Sequence, residues 1–230
     1  MHSEVIERWK RVLEKIQNTC IRCGRDPKEI LLVAVSKLHS SNKIKSLYEA
    51  GHVDFGENYV QEALKKQDEL KDLNIRWHFI GKIQTNKAKH IVGNFWLVHS
   101  VDSVKVAEAL NKRALKKNLI QDILIQVNIG EEKQKAGVEK DKTIELVEAV
   151  KNFTNLRLKG LMCLPPYFED PEKVRPFFVE MRDLKEKIEK ELNIELPYLS
   201  MGMSSDYVQA IEEGANILRI GTEIFGPRPS

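Results

Sequence analysis

Apolar residues at the start of the chain fall at helical spacing. Val5, Ile6, Trp9, Val12, Leu13 and Ile16 share one stripe, which predicts a helix over 3–22. Beyond "GRDP" the period changes. The run 30–37 is apolar and partly β-branched and reads as a buried strand; Ser40 or Ser41 can cap a following helix that ends near Ala50, closed by Gly51. The alternation then repeats. "VDFGEN" predicts a strand and 59–71 a helix, "IRWHFIG" a strand and "NKAKHIV" a short helix, "FWLVHSV" a strand and 103–117 a helix. "DILIQVNI" leads through a glycine-containing loop to a helix near 141–151, and "LRLKGLMCL" through a proline-rich loop to a helix near 171–192. "PYLSMGMS" precedes a short helix, "SDYVQAIEEG", and "NILRIG" is the last strand.

Eight strands result, each but the last followed by a clear helix, and such alternation predicts a parallel sheet. Eight repeats in 230 residues suit an α/β fold of one closed (β/α)8 TIM barrel, a fold of about 250 residues. An open doubly wound sheet is the alternative, but no GxGxxG follows the first strand. No linker-like stretch divides the chain, so 1–230 is expected to be a single domain. The chain runs out within ten residues of the last strand, leaving no room for a full eighth helix. The additional N-terminal helix 3–22 is predicted to fill that gap in the outer ring.

Composition narrows the function classes. Hydrophobic residues make up 42% and charged residues 31%, as in an ordinary soluble protein. The net charge is +3, and most basic residues alternate with acidic ones, as in "LKEKIEKELNIE". These read as solvated helix faces and not as a nucleic-acid stripe. No apolar run approaches the roughly 18 residues of a membrane span. The charged N-terminus has no signal-peptide core, so the expected location is cytoplasmic. Cys20 and Cys23 form a lone CxxC at a predicted helix end, a weak signal for metal or redox chemistry, and Cys163 reads as a packing residue.

Barrel active sites lie at the C-terminal ends of the strands. Lys37 ends the first predicted strand and alternates with Val35, Val33 and Leu31, so all four share a face. If that face points inward, the amine sits at the barrel mouth, where desolvation favours its neutral, nucleophilic form. A strand-end lysine reaching for solvent is the other reading. The seventh and eighth strands end in "SMGMSSD" and "RIGTEIFG", rich in small residues and hydroxyls at the position where such barrels often bind phosphate. Ser204 can instead cap the next helix, and Gly221 and Thr222 can form a turn. Arg219 lies in an apolar strand and needs a partner, either a barrel carboxylate such as Glu57 or a ligand. Together, an amine for an aldehyde, a phosphate cradle and a buried arginine suggest pyridoxal 5′-phosphate. Arg219 facing the ring nitrogen would disfavour its protonation and so restrain carbanion chemistry.

At these residues the chain resembles a known family. "AVSK", "FGENYVQEA", "WHFIGKIQTNK", "VNIGEEKQKAG", "GLMCLPP", "LSMGMSSDYVQAI" and "RIGTEIFGPR", in that order, are similar to the pyridoxal-phosphate homeostasis proteins, over about residues 30–228. The resemblance implies a barrel of the alanine-racemase N-terminal type, fold type III among pyridoxal-phosphate proteins. It implies the cofactor held as an imine on Lys37, phosphate contacts at Ser204, Gly221 and Thr222, Arg219 at the ring nitrogen, Asn58 beside the cofactor and Met201 lining the site. Where the family usually continues "AVSK" with Thr-Lys-Pro, this chain has "LHSS", so one rim loop differs.

The implied role is that of an intracellular carrier and buffer of pyridoxal phosphate, passing it to apo-enzymes as a monomer or weak dimer, with no strong catalysis. Alanine racemase needs a second, β-rich domain that supplies a catalytic tyrosine; this chain stops after the eighth strand, and its five tyrosines do not obviously replace it. A low-activity amino-acid racemase and a Schiff-base lyase or aldolase are the rival readings; for the aldolase, a later strand offers Lys159. His78 reads as a general base or a buried hydrogen-bonded histidine. Lys82, Lys87 and Lys89 read as a docking surface, a second anion site or a solvated loop.

Overall fold

Nine parallel strands organise the chain in the computed structural model, which describes residues 2–228. They are β1 (Leu31–Val35), β2 (Asp54–Glu57), β3 (Arg76–Phe79), β4 (Leu97–Val101), β5 (Gln121–Asn128), β6 (Val138–Glu139), β7 (Leu156–Cys163), β8 (Tyr198–Ser200) and β9 (Ile217–Ile220). β1 pairs with both β2 and β9, and β4 with β5, so eight strands close into a barrel while the two-residue β6 adds alongside β5. The seventh and eighth predicted strands are therefore β8 and β9. The first strand stops at Val35, which leaves Lys37 in the turn beyond it.

Helices α2 (Ser41–Glu49), α3 (Val60–Glu69), α4 (Ala88–Ile91), α5 (Val104–Lys116), α6 (Thr143–Lys151), α7 (Arg175–Leu192), α8 (Tyr207–Glu212) and α9 (Thr222–Phe225) follow the strands in turn. α1 (His2–Cys23) packs against α2, α8 and α9, filling the place that four-residue α9 leaves in the ring. Its buried face is Val5, Trp9, Val12, Ile16 and Cys20, one residue per turn. Polar contacts fix the same seam. Trp9 donates its indole N–H to Nδ1 of His52 at 3.2 Å, and Arg25 donates to the carbonyls of Ile211 and Ala215, each at 2.7 Å.

Because helices cover its outer face, the sheet is apolar there, with Leu32, Ala34, Phe55, Phe79, Leu218 and Ile220 in the main core. Inside the barrel, Val33, Leu97, Leu124, Met162 and Ile217 form a separate apolar cluster. Period-two alternation fixes what else points inward. Arg219 pairs with Val33 in register and lies between outward Leu218 and Ile220. Barrel interiors are normally filled by layers of branched apolar side chains. This one also holds buried Asp54, His78, His99, Ser200 and Arg219.

Candidate functional site

A cavity of about 400 Å³ opens at the C-terminal ends of the strands, within the usual range for a small-molecule site. Lys37, Asn58, Ser204, Arg219, Gly221 and Thr222 all line it. Met201 does not. Along β8 Ser200 points inward, so Met201 turns outward and is fully buried in the core beneath the helices, while Met203 lines the cavity instead. The alternation of "LSMGM" carried that signal.

Lys37 is half-buried and makes no ion pair among the described residues. Burial lowers its pKa first, and the cation of Arg228 lowers it further; Glu57 and Glu62 pull the other way. The result is an amine more readily neutral than a surface lysine. Its backbone is held from both sides by groups that the sequence reading did not single out. Lys66, buried on α3, donates to the Ser36 carbonyl at 2.7 Å and to Oε1 of both Glu57 and Glu62 at 2.6 Å. Ser36 donates its hydroxyl to Glu57 Oε1 at 2.7 Å, and Glu62 accepts from the Leu38 amide at 2.6 Å. Leu38 adopts a left-handed φ of 65°, uncommon for a branched residue, and this network holds it there. Burial raises the Glu57 carboxyl, and Lys66 opposes that. The spacing of Glu62 and Lys66 one helical turn apart in "QEALKK" was the available signal.

Across the cavity, Arg219 is buried and has no carboxylate ion pair among the described residues; Glu57 is taken by Lys66. Arg219 donates through Nη1 to Ser200 Oγ at 2.6 Å and through Nη2 to the Cys163 carbonyl at 2.8 Å. Burial presses its pKa down, and the charge persists because guanidinium is so basic. Ser204 does not cap α8. Its Oγ accepts from the Glu223 amide and from the Thr222 hydroxyl, both at 3.3 Å, which ties the ends of β8 and β9 together. Asn58 Oδ1 is buried with no hydrogen-bond partner. A Cβ on Gly81 would stand 1.9 Å from the Asn58 carbonyl oxygen, so glycine there lets the loop after β3 press against Asn58 and set its place.

The remaining candidates lie elsewhere. His78 is fully buried and bonded to His99 and Asp54, away from the cavity wall. Lys159 lies over the ring of Tyr198, at the opposite end of the barrel. Lys82 is exposed on the loop after β3, Lys87 is half-exposed just before α4, and Lys89 is exposed on α4. Tyr167, 75% exposed, stands at the cavity mouth, and Val35, Ile80, Leu164, Ser205 and Arg228 complete the lining.

Known proteins share this architecture. The family described as alanine racemase, N-terminal domain, matches residues 11–229. A pyridoxal phosphate homeostasis protein of Aquifex aeolicus is 49% identical over 222 residues, 96% of this chain and 97% of that one. The chain belongs to the pyridoxal phosphate homeostasis protein family. A solved structure of PipY of Synechococcus elongatus with PLP bound is similar with a TM-score of 0.83 and 34% identity, covering 94% of this chain and all of that one. An alanine racemase of Clostridium difficile shares the barrel, with a TM-score of 0.79 at 12% identity over 99% of this chain and 58% of that one. As in these relatives the fold is a parallel (β/α)8 barrel, and no described helix is long and apolar enough to cross a membrane.

Proposed function

We propose that this protein binds pyridoxal 5′-phosphate in the β1/β2/β8/β9 cavity and acts in its homeostasis as a carrier and buffer. The observation that carries the reading is convergence. An unpaired, partly desolvated lysine amine, a buried arginine without a carboxylate and the hydroxyls of Ser204 and Thr222 line one cavity. The residues fit the group. Asn58 Oδ1, an acceptor without a partner, suits a ligand that carries a hydroxyl. Gly221 is not required by packing, since a Cβ there would meet nothing nearer than 3.4 Å, and its missing side chain leaves room beside the hydroxyls. Lys37, Arg219 and Arg228 give the lining the positive charge a phosphate needs.

Lys37 would hold the aldehyde covalently, Ser204, Gly221 and Thr222 the phosphate, and Arg219 and Asn58 the ring. When bound, pyridoxal phosphate supplies an electron sink for amino-acid chemistry. This chain's residues restrain that use. Arg219 offers only donors, so it gives a ring nitrogen no acceptor for a proton. The open mouth at Tyr167 and Met203 suits loading and release, and the protein would pass its cofactor to apo-enzymes in the cytoplasm. The test is titration of purified protein with pyridoxal phosphate, followed by borohydride reduction and peptide mapping. Visible absorbance and label at Lys37, both lost in Lys37→Ala, are expected. A protein that takes up no cofactor overturns the reading, and rapid racemisation of alanine would overturn the carrier role.

A further inference from the structure

We propose that Ser200, His99, His78 and Asp54 form a one-way hydrogen-bond relay through the barrel that positions the guanidinium of Arg219. The inference rests on the reading above only for what Arg219 is aimed at; the relay itself is a property of the chain.

The geometry is continuous. Arg219 Nη1 lies 2.6 Å from Ser200 Oγ, which lies 2.9 Å from His99 Nδ1. His99 Nε2 lies 2.9 Å from His78 Nδ1, and His78 Nε2 lies 2.9 Å from Asp54 Oδ1. Asp54 Oδ2 accepts from Arg76 at 2.6 Å. The chain of contacts starts on β9, passes to β8, crosses the lumen to β4 and returns through β3 to β2. Asp54 and Arg76 begin their strands, so the path runs from the cavity to the other end of the barrel, where Arg76 is 42% exposed.

Its direction is fixed by its ends. Arginine only donates, and an ionised carboxylate only accepts. Burial raises the Asp54 carboxyl, but the hydrogen bonds from His78 and Arg76 outweigh that and hold it below its ordinary value. His78 must therefore carry its proton on Nε2 and accept at Nδ1. His99 must then donate from Nε2 and accept at Nδ1, which leaves Ser200 to donate to His99 and accept from Arg219. Every donor finds one acceptor, with both rings neutral. Burial lowers the pKa of each histidine, in keeping with that assignment. A charged ring would make Ser200 accept from His99 as well as from Arg219 and leave the Ser200 proton no acceptor in the line.

Such a line is costly in a barrel core that branched apolar residues fill readily, as Val33, Leu97, Leu124, Met162 and Ile217 do beside it. What it delivers is orientation. Ser200 keeps a fixed lone pair on Arg219 while its own proton is held by His99, and His99 accepts that proton in the tautomer that His78 and Asp54 enforce. With Ser200 and the Cys163 carbonyl holding two edges, the remaining donors of the guanidinium face the cavity.

Two variants separate positioning from packing. His99→Gln keeps an acceptor toward Ser200 and a donor toward His78; His99→Leu keeps volume and loses both. In ligand-free protein at neutral pH, nitrogen NMR should find both histidines neutral with the proton on Nε2. The slowed rotation of the Arg219 guanidinium should survive in His99→Gln and vanish in His99→Leu. On titration with pyridoxal phosphate, His99→Leu should bind about tenfold more weakly, with a shifted visible band, while His99→Gln stays within about twofold of wild type. A charged or Nδ1-protonated histidine in the wild type overturns the relay. So does a folded His99→Leu variant with wild-type guanidinium dynamics, affinity and band. Wild-type protein that takes up no cofactor overturns the proposed function instead, and the ligand-free spectra still decide the relay.

Discussion

Replacing Lys66 with methionine removes one charge from a site with almost no access to water. The Lys66 side chain is 6% exposed and that of Glu57 fully buried, with Nζ and Oε1 2.6 Å apart. Methionine keeps most of the apolar stem, so the perturbation is the ammonium and its three hydrogen bonds. Breaking a buried pair from one side costs about 3–5 kcal/mol, because the remaining charge keeps its desolvation penalty. For a chain of this size that is a fall of about 6–20 °C in Tm. The loss depends on pH. Burial already raises the folded pKa of Glu57, so the folded protein binds that proton more tightly than the unfolded chain does. Stability from this group is greatest below its ordinary value and declines as pH rises through the raised one. Without Lys66 the pKa rises further, and the gap between wild type and Lys66→Met should widen from pH 5 to pH 8. Calorimetry at both pH values measures it. Glu57→Gln added to Lys66→Met should recover more than half of the loss, since no buried charge is left unpaired. A loss below about 1 kcal/mol at pH 8, or no recovery in the double variant, would refute the reasoning.

Other outcomes follow from single contacts. His52 is buried and its pKa is depressed from 6.5 to about 4, mainly by burial; the unfolded chain takes its proton first as pH falls, so stability should decline by up to about 3 kcal/mol between pH 6.5 and 4, and His52→Gln should flatten that slope in acid-denaturation curves. Arg228→Gln removes a cation that lowers the Lys37 pKa, so acylation of Lys37 near pH 8, followed by mass spectrometry, should become slower. Gly221→Ala should fold with stability within about 1 kcal/mol of wild type, since its new Cβ stands 3.4 Å from the Val35 carbonyl oxygen, yet bind pyridoxal phosphate more weakly in an absorbance titration. Gly81→Ala drives a Cβ to 1.9 Å from the Asn58 carbonyl oxygen and should lose about 1–3 kcal/mol in urea unfolding, together with affinity.

The order of the eight barrel strands, the closed barrel and the helix that completes its ring were legible in the sequence, whereas the two-residue β6 lies in a stretch that reads as a loop. Each depends on periodicity within a segment or on the repetition of segments, and parallel strands joined by helices have few ways to pack. Five cavity residues, Lys37, Ser204, Arg219, Gly221 and Thr222, were legible for the same reason, because strand ends and inward alternation follow from chain order, and Asn58 came from the family resemblance. Met201 shows the limit of motif reading without that alternation, since one step past Ser200, the end of β8, moves a side chain from the lumen to the outer core. The network of Lys66, Glu57, Glu62 and Ser36 required the tertiary structure, because α3 must cross the end of β1 before its lysine can reach a carbonyl 30 residues away. The relay from Arg219 to Asp54 required it most of all. Its members come from five strands, and each looks on its own like a single polar residue in an apolar run. Only closing the barrel brings Ser200 of β8 to within 2.9 Å of His99 of β4, and low-dielectric burial then gives the line its direction.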